Sequence, residues 1–159
     1  MPFSERQKKI VKTICEMARP YFEITDDPYP GATQYREGDG GRNSPKIQRE
    51  ANDEIQEFGL EQNREPNGTN LKIDWWDGEE SICYELCLGQ GQEVYKDLFK
   101  AMIMKAEGLI VICREYPDPT EQGYKTILRR LKVIQNTNIW NGKIGVVDLM
   151  NPNYTWIDE

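Results

Sequence analysis

Histidine is absent from all 159 residues. With it go Ser-His and Cys-His nucleophilic schemes, imidazole general bases and most catalytic zinc sites. Hydrolytic chemistry in this chain has to run on carboxylates, lysines and a hard metal. Cysteine is scarce: Cys15, Cys83, Cys87 and Cys113 do not make a disulfide framework in a chain of this length. Cys83 and Cys87 lie four apart in a strand-like run, ~13 Å at strand rise, too far to bridge. No apolar run approaches the ~20 residues that span a bilayer. The opening Met1-Pro2-Phe3-Ser4-Glu5-Arg6 carries no signal-peptide core, so the expectation is a cytoplasmic protein with no membrane partner. Positive charge is also short, 20 Lys and Arg against 27 Asp and Glu, for a net charge of −7. That balance argues mildly against nonspecific nucleic-acid binding, which draws on Lys and Arg. Metal-binding carboxylates inflate the negative count, however, and a local basic patch is compatible with it.

The hydrophobic share is 38%, the 13 glycines raise the apolar share to about 46%, an ordinary globular value, and the length suits one domain spanning residues 1–159. Ser4 to Ala18 places Ile10, Val11, Ile14, Cys15 and Ala18 at helical spacing, with Ser4 as N-cap and Pro20 as stop. Residues 26–45 are rich in Pro, Gly and Asp and read as a long irregular loop, a feature that is usually functional or disordered. Pro45 then opens a second helix reaching Phe58, capped by Ser44, with Ile47, Ala51, Ile55 and Phe58 as its apolar stripe.

After a polar connector, Leu71–Trp76 and Ser81–Leu88 read as two strands joined by Asp77-Gly78-Glu79-Glu80. A helix from Gln92 to Ala106 follows, with Tyr95, Leu98, Phe99, Met102 and Ala106 on one face. Leu109–Cys113 is a continuous apolar run, typical of a strand buried on both sides. A helix from Glu121 to Ile134 and a strand from Lys143 to Leu149 complete an α/β order, a mixed sheet with helices on both faces.

The hairpin carries the chemistry. Alternation sends Ile73, Trp75, Ile82, Tyr84, Leu86 and Leu88 to one face and Lys72, Asp74, Cys83, Glu85 and Cys87 to the other. With Asp77–Glu80 as the loop, Asp74 is expected opposite Cys83, with Glu85 its diagonal neighbour at ~7–8 Å. Two carboxylates so placed can converge on Mg²⁺, which takes oxygen ligands and keeps several waters. On spacing alone, two exposed strand carboxylates are the favoured reading.

Asp74, Glu85-Leu86-Cys87, a Gly-rich turn, an amphipathic helix and a buried apolar strand together resemble the core of the PD-(D/E)xK nuclease superfamily. The run from Ile73-Asp74 to Ile110-Val111-Ile112 is most similar to BamHI- and BglII-type restriction endonucleases. The resemblance spans roughly residues 46–134 and implies a restriction-endonuclease-like fold. It implies Asp74 and Glu85 as ligands of Mg²⁺ (or Mn²⁺) and puts Cys87 at the lysine position. It also implies a glutamate from the preceding helix, for which Glu54 lies nearest the apolar stripe, about 55° from its centre. Cysteine supplies no positive charge, although BamHI-type enzymes themselves carry Glu or Gln there. Lys96 or Lys100 on the next helix could supply a migrated one, or could simply offset acidic neighbours.

DNA is the implied partner. Arg36 and Arg42, with Gln34 and Asn43, have the chemistry for base or phosphate contact; Lys125, Arg129, Arg130 and Lys132 gather on the last helix. Phosphate contact and a solvated face are both open for that helix. The implied function is a metal-dependent endodeoxyribonuclease hydrolysing DNA phosphodiester bonds, acting as a homodimer because duplex cleavage needs two sites. The alternative is a catalytically inactive nuclease-fold protein that binds DNA or a protein partner. Small size, acidity and Cys87 favour the alternative, while Asp74 and Glu85 together favour the enzyme. A third reading is an unrelated α/β binding module.

Overall fold

Two hydrophobic periodicities, near 3.6 and near 2, alternate along the chain, and they fold as three layers in the computed structural model. It describes residues 1–22, 39–88, 91–116 and 122–157, with the backbone alone for 39–46. Among the described residues, four α-helices and five strands follow in order: α1 (Glu5–Ala18), α2 (Asp39–Ile55), β1 (Glu61–Arg64), β2 (Ile73–Asp77), β3 (Ile82–Leu86), α3 (Val94–Ile103), β4 (Gly108–Cys113), α4 (Tyr124–Asn136) and β5 (Lys143–Asp148). The fold class is α/β with one five-stranded mixed sheet in the order β1-β2-β3-β4-β5. β1, β2 and β3 pair antiparallel; β3, β4 and β5 pair parallel, with α3 and α4 in the two connections.

The sheet is covered on both faces. α1 and α2 bring Ile10, Val11, Ile14, Ile47, Ala51 and Ile55 against Trp75, Tyr84, Ile110 and Ile112. On the other side, Val94, Leu98 and Ala101 of α3 and Ile127 and Leu131 of α4 pack on Cys83, Leu109, Val111 and Val146. Ile73 joins this second core and not the Trp75 face that strict alternation assigns to it. Every residue of β3 and β4 is buried, as expected of strands with helices on both sides.

Ser4 caps α1 as anticipated, in a reciprocal box in which Gln7 N–H donates to Ser4 Oγ and Ser4 N–H to Gln7 Oε1. Residues 39–45, expected in the loop, are helical: α2 starts at Asp39 and runs through Pro45. Proline removes one helical hydrogen bond, but the buried Ile47-Ala51-Ile55 stripe fixes the axis that those residues continue. Of the expected loop, residues 26–38 lie outside the described residues. β1 was expected as connector because Glu61-Gln62-Asn63-Arg64 offers no apolar alternation. Its place comes from pairing with β2 (Glu61↔Trp76, Arg64↔Ile73), and its charges suit a sheet edge.

Candidate active site on the β2–β3 hairpin and helix α3

The hairpin register decides what Asp74 faces. The observed pairs are Asp77↔Ile82, Trp76↔Cys83 and Trp75↔Tyr84, so the loop is Gly78–Ser81. This is two residues away from the expected pairing and corrects it: one step beyond Trp75↔Tyr84, Asp74 stands directly across from Glu85 and not from Cys83. A shift of two preserves the face, so both carboxylates still point toward α3. Asp77 is therefore strand and not turn. Its buried carboxylate takes two hydrogen bonds from Arg6 of α1, Nε at 2.9 Å and Nη2 at 3.1 Å. Arg6 Nη2 also donates to the Phe58 carbonyl.

At the Asp74–Glu85 level, carboxylates take up backbone donors. Asp74 N–H donates to Glu85 Oε1 at 3.0 Å, and Leu86 N–H donates to Asp74 Oδ2 at 2.8 Å. Gln48 of α2 donates its Nε2 proton to Asp74 Oδ1 at 3.0 Å. Both side chains are thus held at two points by groups belonging to the sheet and its neighbouring helix.

α3 supplies the rest. Its inward stripe is Val94, Asp97, Leu98 and Ala101, at i, i+3, i+4 and i+7. Tyr95 and Phe99, expected to face inward, are exposed instead. The rotation brings Asp97 and Lys100 under the sheet. Lys100 Nζ donates to Glu85 Oε2 at 2.8 Å and to the Lys72 carbonyl at 2.7 Å, and pairs with Asp97 Oδ1 at 3.1 Å. All three ammonium donors are thereby used. Glu85, Asp97 and Lys100 are 1%, 6% and 7% exposed, whereas Asp74 is only half-buried and forms the cluster's opening to water.

Three carboxylates share one cation here, and their proton affinities show the strain. Burial, reinforced by the Asp97 charge and only partly opposed by the Leu86 N–H, pushes Asp74 up to about 6. Burial and the charges of Asp97 and Asp74 raise Glu85 well above the usual carboxylate range. Asp97 is raised by burial, against the pull of its hydrogen bond to Glu85 and of Lys100. Burial alone would lower Lys100, but Asp97 and Glu85 outweigh it and hold the ammonium charged. Desolvated like charges of this kind cost stability, and they occur both at functional sites and in structural ion-pair networks.

Other expected site residues fall elsewhere. Glu54 is exposed on α2 and outside the cluster. The wheel angle was favourable, but Gln48 sits six residues earlier, about 9 Å along the axis, at the level of Asp74. Lys96 is exposed and pairs with Glu93 at 3.3 Å, so the cation that reaches the carboxylates is Lys100. Cys87 is buried in the second core, 5% exposed, and desolvation drives its thiol pKa far up. Lys125, Arg129 and Lys132 are exposed on α4. Arg130 is half-buried, donates to Gln122 Oε1 at 2.9 Å and lies 5.9 Å from the Tyr95 ring centroid. Arg36, Gln34 and the side chains of Arg42 and Asn43 lie outside the described residues. Asp97 and Gln48 were missed; a charged residue at an inward a/d-type position of α3 was the available signal for Asp97.

Compared with protein-family models, with curated proteins and with solved structures, the chain matches none.

Proposed function

We propose that this protein is a metal-dependent endodeoxyribonuclease of restriction-endonuclease-like fold that hydrolyses DNA phosphodiester bonds at the Asp74–Glu85–Lys100 cluster. One observation carries the reading: Lys100, from the helix after β3, brings to Glu85 the ammonium that Cys87 cannot supply. The order of the strands agrees with it, three antiparallel strands followed by a helix and a parallel fourth.

The donor set fits Mg²⁺ or Mn²⁺. Asp74 and Glu85 are hard oxygen ligands, and Mg²⁺ is usually held by one or two carboxylates with water completing its shell. Among the described residues there is no group of three or more Asp, Glu or Cys side chains that could hold a metal, so Asp74 and Glu85 would share the ion with water and phosphate. When bound there, it would polarise the phosphodiester and make hydroxide available near neutral pH. The chain's own residues do the positioning. Gln48 and the Leu86 N–H orient Asp74, Lys100 orients Glu85, and the Lys100 ammonium offsets negative charge developing on the phosphate. Asp97 holds Lys100 in that position.

DNA would be drawn by the exposed Lys125, Arg129 and Lys132 of α4. A duplex target calls for two copies of the site, so the acting species is a homodimer. The protein incubated with supercoiled plasmid and Mg²⁺ or Mn²⁺ should nick it, and Asp74→Ala and Lys100→Met should abolish nicking. Absence of cleavage by the wild type in either metal would overturn the enzymatic reading. One observation favours a second reading, a catalytically inactive DNA- or protein-binding relative: every Lys100 donor and both Glu85 oxygens are satisfied internally. Plasmid binding without nicking, at any metal concentration, would select it.

A further inference from the structure

A second concave site lies at the other end of the sheet. Lys143, at the start of β5, pairs with Gly108, and Gly108 with Ile82; Glu85 is three residues further along β3. A cavity of about 430 Å³ opens there, lined among others by Gln135, Asn138, Trp140, Asn141, Lys143 and Trp156. None of these residues belongs to the Asp74 cluster, and no carboxylate is among the described lining residues of a chain with net charge −7.

Its walls are built rather than incidental. The Trp140 indole lies flat on Gly142: a Cβ there would come within 2.0 Å of Trp140 Cζ2. Trp156 rests on Gly108 in the same way, where a Cβ would meet Cη2 at 2.8 Å, and Phe3 braces it edge-on with ring centroids 4.9 Å apart. Backbone bonds tie the Trp156 segment down, Trp156 N–H to the Met1 carbonyl and Ile157 N–H to the Ile144 carbonyl, 2.9 and 2.8 Å. Polar groups are set around the indoles. Gln135 donates Nε2 to the Ile157 carbonyl at 3.2 Å and leaves Oε1 buried without a partner. The exposed Lys143 holds its ammonium 6.0 Å from the Trp156 ring centroid.

We propose that this cavity binds a nucleotide: an unpaired purine stacked on an indole, its edge read by carboxamides, and its phosphate met by Lys143. Indole faces accept any base by stacking, and Asn and Gln amides match the donor–acceptor edge of adenine. The exposed carboxamides on the cavity wall are those of Asn138 and Asn141. The volume is in the range of small-molecule sites, roughly 300–1,000 Å³. The proposal does not depend on the nuclease reading, since it uses neither the carboxylates nor a metal.

Tryptophan fluorescence and calorimetry with dAMP, adenosine, inorganic phosphate and tetradeoxyadenylate, all in chelator, test it on the intact chain. Saturable binding of dAMP is expected, tighter than adenosine and than phosphate. Trp140→Ala should weaken dAMP about tenfold or more, and Trp140→Phe should restore most of that loss. Lys143→Met, at an exposed position that does not threaten folding, should bring dAMP down to the level of adenosine. Tetradeoxyadenylate binding more tightly than dAMP identifies an unpaired strand as the source; equal or weaker binding identifies the free nucleotide. No saturable binding of any base-containing probe, phosphate binding as tight as dAMP, or unchanged dAMP affinity in Lys143→Met overturns the proposal.

Discussion

Replacing Asp74 by Asn should make the protein more stable at neutral pH, although it removes a residue held by two side-chain hydrogen bonds. The shape is conserved, and Asn Oδ1 can still accept the Leu86 N–H. Gln48 need only turn its amide to present oxygen to the new NH₂ group. What changes is charge. In the unfolded chain Asp74 titrates near 3.8, whereas in the fold burial moves it up to about 6. Between those values the folded protein keeps a proton that the unfolded chain has released. Folding is therefore favoured below the interval and penalised above it. At about 1.4 kcal/mol for each tenfold change in proton affinity, the full penalty at pH 7.5 is about 3 kcal/mol. Asp74 keeps an opening to water, and screening brings the expected gain for Asp74→Asn to about 2 kcal/mol. Near pH 4 the difference should shrink to about half a kcal/mol, because the carboxyl is then protonated in the fold and half-protonated in the unfolded chain. Urea denaturation of both proteins at the two pH values measures this. Mg²⁺ or Mn²⁺ at millimolar concentration should raise the melting temperature of the wild type and leave Asp74→Asn unmoved. A variant no more stable than the wild type at pH 7.5, with the same difference at pH 4, would refute the reasoning and make Asp74 an ordinary paired carboxylate.

Lys100→Met should cost about 3 kcal/mol in denaturant titration, since it leaves Glu85 and Asp97 buried together without their cation. Cys87→Lys should not create activity; a lysine at this buried position has no water to reach and should cost 2 kcal/mol or more, whereas Cys87→Ala should keep whatever cleavage the wild type has. Arg6→Ala should destabilise by about 3 kcal/mol through the orphaned Asp77, and adding Asp77→Asn should recover part of it. Charge reversal at Lys125 and Arg129 should weaken DNA binding and flatten its dependence on salt; unchanged affinity and slope would remove α4 from the DNA interface.

Much of this was legible from the sequence by itself. Period-two alternation placed Asp74 and Glu85 on a common face, and any even slip of register preserves that result. The continuous apolar run at 109–113 announced a strand buried on both sides, and Ser4 announced the start of α1. The α/β class follows from those patterns. Tertiary contacts decided the rest. Asp77 reads as a turn residue until Arg6, 71 positions away in the chain, holds it in β2, and that contact moves Glu85 from the diagonal to a position directly opposite Asp74. Local periodicity gave α3 an inward face of Tyr95 and Phe99. The fold turned the helix until Asp97 and Lys100 lay under Glu85, because a buried Glu85 needs a cation and Lys100 reaches it only from the helix packed on the sheet. Glu54 had the right azimuth on α2 and the wrong height, a coordinate no helical wheel contains. β1 has no hydrophobic signature at all and exists because β2 offers it an edge.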